Sequence, residues 1–173
     1  MDREIFILKE KLLVDVVIKP NRNINDIIKI LLKDSTVVVF DTIGNFNKDL
    51  LPKDIVLFKY FWIKSINHLY KTLRSLKEKR KFILIIDSIT FVCDFDYKMI
   101  KSTLNELWKT IYQNKCTIIC INHFRYESEN DTLKLIPRMG YVYNNFISYR
   151  IIINDQSYVC VQNKRFISNK NFN

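Results

Sequence analysis

Polar side chains end three of the apolar runs in this sequence. Asp41 follows VVVF, the pair Asp87 and Ser88 follows FILII, and the pair Asn122 and His123 follows TIICI. Ligands of open α/β sheets gather beyond the carboxyl ends of the strands, where a carboxylate can hold the water shell of a magnesium ion beside a triphosphate. Aspartate also ends strands because its side chain stabilises turns. Taken alone, these positions favour a turn-capping role over a metal-organising one.

Glycine is scarce: the 173 residues contain only Gly44 and Gly140. A loop that cradles phosphate needs glycines, because they let the backbone fold its N–H groups closely around the anion. Neither glycine follows the first apolar strand, where such a loop would lie. The sequence therefore predicts no ordinary nucleotide-binding loop.

Short apolar runs alternate with longer helical patterns, which predicts an α/β fold with a mostly parallel sheet. The polar stretch at residues 124–136 has no period and is predicted to be a long loop. Residues 147–153 and 158–162 are predicted to form a terminal β-hairpin. Strands are predicted at residues 12–18, 37–40, 55–60, 82–86 and 116–121, and helices at residues 24–32, 63–76 and 97–112.

Length and composition fit one compact domain over residues 1–173, with 48% hydrophobic and 13% aromatic residues. The apolar runs are far shorter than the roughly 20 residues of a membrane-spanning helix, and the first residues lack the pattern of a secretory signal. The cysteines form no CxxC pair and only two histidines accompany them, so a zinc site is poorly supported. Reduced, buried thiols inside a cell are expected for Cys93, Cys116, Cys120 and Cys160.

The formal net charge of +10 favours anionic partners, nucleic acid first. The chain is also rich in Lys, Asn and Ile, which is the composition that an AT-biased genome produces without selection for any ligand. Net charge describes nonspecific attraction and identifies no site. Both explanations of the charge stay open at this point.

Five short strings occur in an order that resembles the ATPase core of the RecA superfamily: VVVFDTIGNF, FILIIDSIT, TIICINH, PRMGYVY and SYRIII. They most resemble a eukaryotic recombinase paralogue, a class of homologous-recombination accessory proteins that includes the Shu-complex subunits. The resemblance covers residues 14–153. It implies a RecA-like P-loop NTPase fold, in which helices flank a mostly parallel twisted sheet, with a C-terminal antiparallel β-hairpin and tail at residues 147–173.

The resemblance breaks down at the nucleotide site. Members of the superfamily carry G-x-x-x-x-G-K-[ST] after the first strand, whereas this chain has Lys19 and Ile24 at the glycine positions, Asn25 at the lysine and Asp26 at the magnesium-binding hydroxyl. Side chains in place of the glycines fill the phosphate cradle, and a carboxylate there repels phosphate oxygens. The segment is instead predicted to be a helix cap, with an acid in the first turn.

A second departure concerns the catalytic base. In recombinases the residue between Thr and Gly of the D-T-x-G string is typically a Glu that positions water, and Ile43 stands there in this chain. An alkyl chain can neither accept a proton nor orient water. We therefore expect no enzyme activity and no cofactor, with Asp87 and Ser88 as relics of a Walker B position and Asp41 as a relic at the end of its strand.

The resemblance also implies where DNA contacts would lie. His123 stands at the family's polar sensor position, and a structural hydrogen-bonding role is an equal interpretation. The following segment aligns with the family's DNA-contacting loop, in which Arg125 offers a phosphate contact and Phe124 and Tyr126 offer stacking faces, with Lys134 further on. Acidic neighbours in the same segment would repel a phosphate backbone: Glu127, Glu129 and Asp131.

Two aromatic sets could serve as partner-binding anchors, although core packing is the prediction for most of them. They are Phe58, Tyr60, Phe61 and Trp62, and Tyr141, Tyr143, Phe146 and Tyr149.

The expected function is that of a noncatalytic accessory subunit, located in the nucleus, which pairs with another recombinase-like protein and contacts DNA without sequence preference. One alternative is an active or nucleotide-gated ATPase that uses ATP and magnesium at Asp41 and Asp87. Another is a basic DNA-binding module that acts without partners.

Overall fold

The computed structural model describes residues 11–18, 25, 28, 32, 35–78, 81–93, 96–129, 132–139, 141–153, 157–162 and 165–171. Helices with defined bounds are α1 (Ile66–Ser75), α2 (Ile89–Cys93), α3 (Tyr97–Asn114) and α4 (Tyr141–Asn144), with a 3₁₀ turn at Lys48–Leu50. The described strands are β1 (Leu13–Ile18), β2 (Thr36–Asp41), β3 (Val56–Trp62), β4 (Ile83–Asp87), β5 (Thr117–Glu129), β6 (Thr132–Pro137), β7 (Tyr149–Ile153), β8 (Ser157–Gln162) and β9 (Arg165–Asn171).

The strands form one sheet in the order β3-β2-β4-β5-β1-β7-β8-β9, and β6 pairs with the C-terminal half of β5. Every pairing from β3 across to β7 is parallel, whereas β7 with β8 and β8 with β9 are antiparallel. The predicted fold class is therefore confirmed, including the C-terminal hairpin. β9 was not predicted, because its sequence, RFISNKN, is mostly polar.

The central strands read as continuous apolar runs because both faces of the sheet are buried. One core lies against α1 and α3 and includes Leu69, Leu73, Leu104 and Leu107. The opposite core includes Ile28 and Leu32, which sit between β1 and β2 in the chain. Of the helix predicted at residues 24–32, Asn25 and Ile28 are helical, and most of the remaining positions lie outside the described residues.

Side-chain caps determine where the two long helices begin. Ser65 Oγ accepts from the backbone N–H of His68 at the start of α1, and Asp96 Oδ1 accepts from Met99 N–H at the start of α3. α3 ends at Asn114, and the residue that caps it, Lys115, has a left-handed φ of 52°. Each cap satisfies a backbone N–H that the first turn of a helix leaves without a partner.

The prediction of a long loop at residues 124–136 is wrong. β5 continues to Glu129 and turns back into β6, which pairs with it from Thr132 to Pro137. Two residues separate the strands, which is the commonest length of a hairpin connection. We name this antiparallel extension, residues 124–137, the β5–β6 hairpin.

Cys93, Cys116 and Cys120 are free and buried, as expected for them, whereas the side chain of Cys160 lies outside the described residues. Burial raises the pKa of the Cys93 thiol to about 11 and that of Cys116 to about 12, so both stay protonated at neutral pH. Among the described helices, none has the length and apolarity needed to cross a membrane.

Candidate functional site at the strand ends

β2 and β4 place two aspartates side by side. Asp41 and Asp87 end neighbouring parallel strands and are partners in the strand register. Both side chains are buried. The structure therefore brings together the two carboxylates that the sequence singled out, although their environments differ.

Asp41 holds the segment that follows it, residues 42–47, which we name the strand-end loop. Its Oδ1 accepts from the backbone N–H groups of Ile43 at 2.9 Å and Gly44 at 2.6 Å. Its Oδ2 accepts from Phe46 N–H at 3.2 Å and from the hydroxyl of Tyr60 at 3.1 Å. Gly44 has a φ of 83°, a conformation that glycine adopts without strain. Asp41 thus organises a turn with four hydrogen bonds.

Asp87 has no hydrogen bond of ordinary geometry to either carboxylate oxygen within the described part of the chain. Burial above all, together with the negative charge of Asp41, raises the pKa of its carboxyl to about 7, and the side chain of Asn45 partly offsets this rise. A buried carboxylate without partners is costly in its charged form. Of the two carboxylates, Asp87 is therefore the one whose hydrogen-bonding capacity the described residues leave unused.

Ser88 is tied to the strand-end loop through Thr42. The Thr42 hydroxyl accepts from Ser88 N–H at 2.7 Å and donates to the Ser88 carbonyl at 3.0 Å. Thr42 N–H also donates to the carbonyl of Asp87 at 2.5 Å. The Ser88 hydroxyl itself lies 2.5 Å from the hydroxyl of Thr90, within the protein interior. These contacts join the ends of β2 and β4 into one unit.

Asn25 is directed at the same loop. Its Nδ2 donates to the carbonyl of Asn47 at 2.7 Å, and its Oδ1 accepts from the Asn47 backbone N–H at 3.2 Å. The Asn25 side chain is buried. Sequence reasoning missed Asn47 because nothing local marks it as a partner for a residue 22 positions earlier. Lys19, Ile24 and Asp26 lie outside the described residues.

His123 lies in β5 opposite Ile18 of β1. Burial lowers the pKa of its imidazole, and the nearby charge of Arg138 lowers it further, so the ring is neutral at physiological pH. Its Nδ1 is buried and makes no hydrogen bond to a described residue. The sensor and hydrogen-bonding interpretations of His123 both stay predictions.

The β5–β6 hairpin carries the residues predicted to contact DNA. Tyr126 is 70% exposed. Arg125 is exposed too, but its Nη2 lies 3.4 Å from Glu127 Oε1, so part of its charge is neutralised. Lys134 is exposed on β6, directly opposite Glu127, and Phe124 is half-buried. The hairpin thus offers one exposed ring and partly neutralised cations.

A buried charged cluster in the middle of the sheet escaped the sequence analysis. Asp15 of β1 accepts from Arg150 Nε of β7 at 2.6 Å and lies 3.5 Å from Asn122 Nδ2 of β5. Burial raises the pKa of Asp15 to about 6, although Arg150 lowers it. Tyr143 packs beside the cluster, fully buried. The signal in the sequence was an acid inside the apolar run LLVDVVI.

The two aromatic sets divide between surface and core. Trp62 and Tyr60 on β3 are 56% and 45% exposed, against the prediction of core packing, whereas Phe61 packs on the core. Tyr143 and Phe146 contribute to the core as predicted. The side chains of Phe58 and Tyr141 lie outside the described residues.

The strand ends offer two carboxylates and hydroxyls, but the described residues contain no group of three or more His, Cys, Asp or Glu arranged to hold a metal ion. Ile43 is half-buried and supplies no polar group. The arrangement provides loop-capping hydrogen bonds, with Asp87 as an acid that titrates near neutrality.

Comparison with known proteins gives a structural match alone. No family model matches the chain, and neither does any curated protein. Among solved structures, the RadB recombinase superposes with a TM-score of 0.62 at 16% sequence identity, and the match covers 89% of this chain and 81% of that one. Such a likeness shows the fold: the predicted RecA-like architecture is confirmed.

Proposed function

We propose that this chain is a noncatalytic RecA-like subunit that pairs with another recombinase-like protein and supports homologous recombination and DNA repair in the nucleus. The observation that carries the noncatalytic part is the Asn25 side chain, which pairs with the backbone of Asn47. Asn25 occupies the position at which the resembling family has its phosphate-binding lysine. An amide that binds the protein's own loop contributes no cation to a triphosphate.

The strand-end loop supports the same conclusion. Asp41 gathers three backbone N–H groups of this loop, and N–H groups already bound to a carboxylate cannot also bind phosphate. The loop carries Ile43 in place of a water-positioning acid. The residues present therefore do not fit ATP and magnesium, and we assign the protein no nucleotide cofactor.

The edge of the sheet supports pairing with another subunit. β3 is the terminal strand, so one of its edges has no described neighbour. Three side chains of this strand are exposed to solvent: Val56 by 59%, Trp62 by 56% and Tyr60 by 45%. Exposed apolar side chains on an edge strand favour association, because the partner can pair with the free backbone groups and cover the rings. We assign the recombinase-like partner to this edge.

DNA contact is assigned to the β5–β6 hairpin, where Tyr126 offers a stacking face.

A second candidate function rests on Asp87. Its two oxygens are buried and accept no hydrogen bond of ordinary geometry from the described residues, which favours a nucleotide-gated ATPase in which this carboxylate holds magnesium. The missing lysine and base count against that candidate, and direct measurement of ATP binding separates the two.

The proposal is tested by purifying the tagged protein from its native cell and identifying what remains bound. Recovery of a second RecA-like protein in a stoichiometric complex is the expected result. A chain that purifies alone under gentle conditions, at several salt concentrations, contradicts the proposal. A tagged Trp62→Ala variant reports whether the β3 edge carries the complex.

A further inference from the structure

The surface formed by α1 and α3 is strongly basic. We name it the helical face and define it by six exposed cations that the two helices and the residues just after α1 present: Lys71, Arg74, Lys77, Lys98, Lys101 and Lys109. α3 is 18 residues long, so the face extends over about 27 Å.

The acids near this face are already engaged. Glu106 is only 14% exposed and lies 2.6 Å from Arg74 Nη2 and 3.8 Å from Lys109 Nζ. Glu78, equally buried, is paired with Lys59. Glu106 thus neutralises part of the charge of Arg74 and Lys109, and Glu78 neutralises that of Lys59 on β3. Lys71, Lys98 and Lys101 have no ion pair within the described part of the chain, so the outer surface keeps a positive excess.

The excess of positive charge is not spread evenly over the protein surface. On the exposed loop before β3, Lys48 is followed by Asp49, and Lys53 by Asp54. On the β5–β6 hairpin, Arg125 is paired with Glu127. Charges alternate in sign on these surfaces, whereas the six cations of the helical face outnumber the two acids beside it, Glu78 and Glu106. A uniform compositional bias toward lysine would not produce this difference.

The two helices also enclose a polar groove. One part of the groove has a volume of about 570 Å³ and includes Ser102 and Asn105 in its lining, beside Arg74, Lys109 and Glu106. A second part, of about 540 Å³, shares Arg74, Lys109 and Glu106 and adds Gln113 and Glu78. Because both acids are ion-paired, the hydroxyl and amide groups of the groove and its cations are the groups that can donate to the oxygens of a phosphate backbone.

We propose that the helical face is a nucleic-acid-binding surface, which holds the phosphate backbone without reading bases. The inference deepens the proposed function and rests on it, since it adds a second contact to DNA on a surface separate from the β5–β6 hairpin. Long-range attraction by clustered cations and release of counterions from the phosphates supply the binding energy. The surface would accept any sequence, because it presents no side-chain pattern for base edges.

The test measures the affinity of the full chain for a labelled duplex DNA at several salt concentrations. The double variant Lys101→Gln/Lys109→Gln removes two charges from the helical face. Its matched control, Lys48→Gln/Lys53→Gln, removes two exposed charges from the loop before β3. The variant should bind about tenfold more weakly at 0.1 M salt, and the slope of log affinity against log salt should become shallower by about 2. The control should bind much like the wild type.

Two results of this comparison between the variant and its control would overturn the inference. One is equal loss in the variant and in its control, because net charge alone would then explain binding. The other is unchanged binding in the helical-face variant. Polyglutamate of matched charge serves as a competitor, and competition as strong as that of unlabelled DNA would assign the face to an acidic protein and likewise overturn it. If only the variant Arg125→Gln/Tyr126→Ala lost binding, the proposal of a helical-face contact would be contradicted and the proposal of a hairpin contact would stand. Co-purification of the partner reports on the proposed function independently.

Discussion

Asp41 and Asp87 are register partners at the ends of two neighbouring strands, yet Asp41 accepts four hydrogen bonds and Asp87 accepts none of ordinary geometry from the described residues. The difference separates their roles. Asp41 stabilises the strand-end loop, whereas Asp87 is a buried charge that costs stability when it ionises. A site that bound magnesium would reverse this cost, so the stability of variants reports on function.

Asp87→Asn should stabilise the protein at neutral pH by about 1 to 3 kcal/mol, because the neutral amide avoids a buried unpaired charge. The pKa of Asp87 is about 7 in the folded state, against about 4 unfolded. The folded state then binds more protons between these values, and the free energy of unfolding falls as pH rises through them. The gain should therefore be small at pH 4 and largest above pH 7, measured by urea denaturation.

Asp41→Asn is the control for that substitution, at a site of equal burial. Replacing one carboxylate oxygen by an NH₂ group breaks at least one hydrogen bond to the strand-end loop, and we expect a loss of about 1 to 3 kcal/mol. Stabilisation by both substitutions, or by neither, would contradict the division of roles between the two aspartates.

Asn25→Ala should lower stability by about 1 to 2 kcal/mol, since it removes both hydrogen bonds to Asn47. Asn105→Ala, an exposed position on α3, is a control that should change the free energy of unfolding by less than about 0.5 kcal/mol. Hydrogen exchange should show faster exchange at Asn47 in the Asn25 variant alone. An Asn25→Ala protein as stable as the wild type would mean that the amide has another role.

The elements that position the candidate site were predictable because their signals are local. Val37 to Phe40 and Ile83 to Ile86 are uninterrupted apolar runs, and each stops at an aspartate. The partners of those aspartates were not predictable. The N–H groups that Asp41 binds depend on loop geometry and on β2 lying beside β4. The lack of an ordinary hydrogen bond from any described residue to Asp87 depends on the same two features.

Arg150→Met should lower stability by about 3 to 5 kcal/mol above pH 7, because it leaves the charge of Asp15 buried and unpaired. The pKa of Asp15 is about 6 with Arg150 in place, and loss of the cation raises it further. The loss should therefore shrink as pH falls toward 4, where the folded protein carries Asp15 protonated.

The double variant Asp15→Asn/Arg150→Met supplies the control for the buried pair. Without either charge it should be more stable at pH 7.5 than Arg150→Met alone. A double variant that is no more stable than the single one would show that packing around Arg150, rather than its charge, holds β7 against β1.

Trp62→Ala should reduce recovery of the recombinase-like partner at least tenfold and leave the free energy of unfolding within about 1 kcal/mol, since the ring is mostly exposed. Tyr112→Ala is the control, because Tyr112 is 65% exposed on α3, away from the β3 edge. Equal recovery with the two variants would remove the β3 edge from the interface.

Two features went unpredicted for different physical reasons. The β5–β6 hairpin was not predicted although aromatic and polar residues alternate from Phe124 to Glu127, because a stretch rich in polar residues is also typical of a loop. The pairing of Asp15 with Arg150 spans 135 positions and depends on the strand order β5-β1-β7. A single sequence shows that Asp15 is anomalous in an apolar run and does not show what it meets.

The most direct test of the account is calorimetric titration of the full chain with ATP and magnesium. We predict no saturable heat up to millimolar ATP, because Asn25 is bound to the strand-end loop and supplies no cation to the phosphates. A saturable site with micromolar affinity that Asp87→Ala abolishes would contradict the noncatalytic assignment and establish the nucleotide-gated alternative.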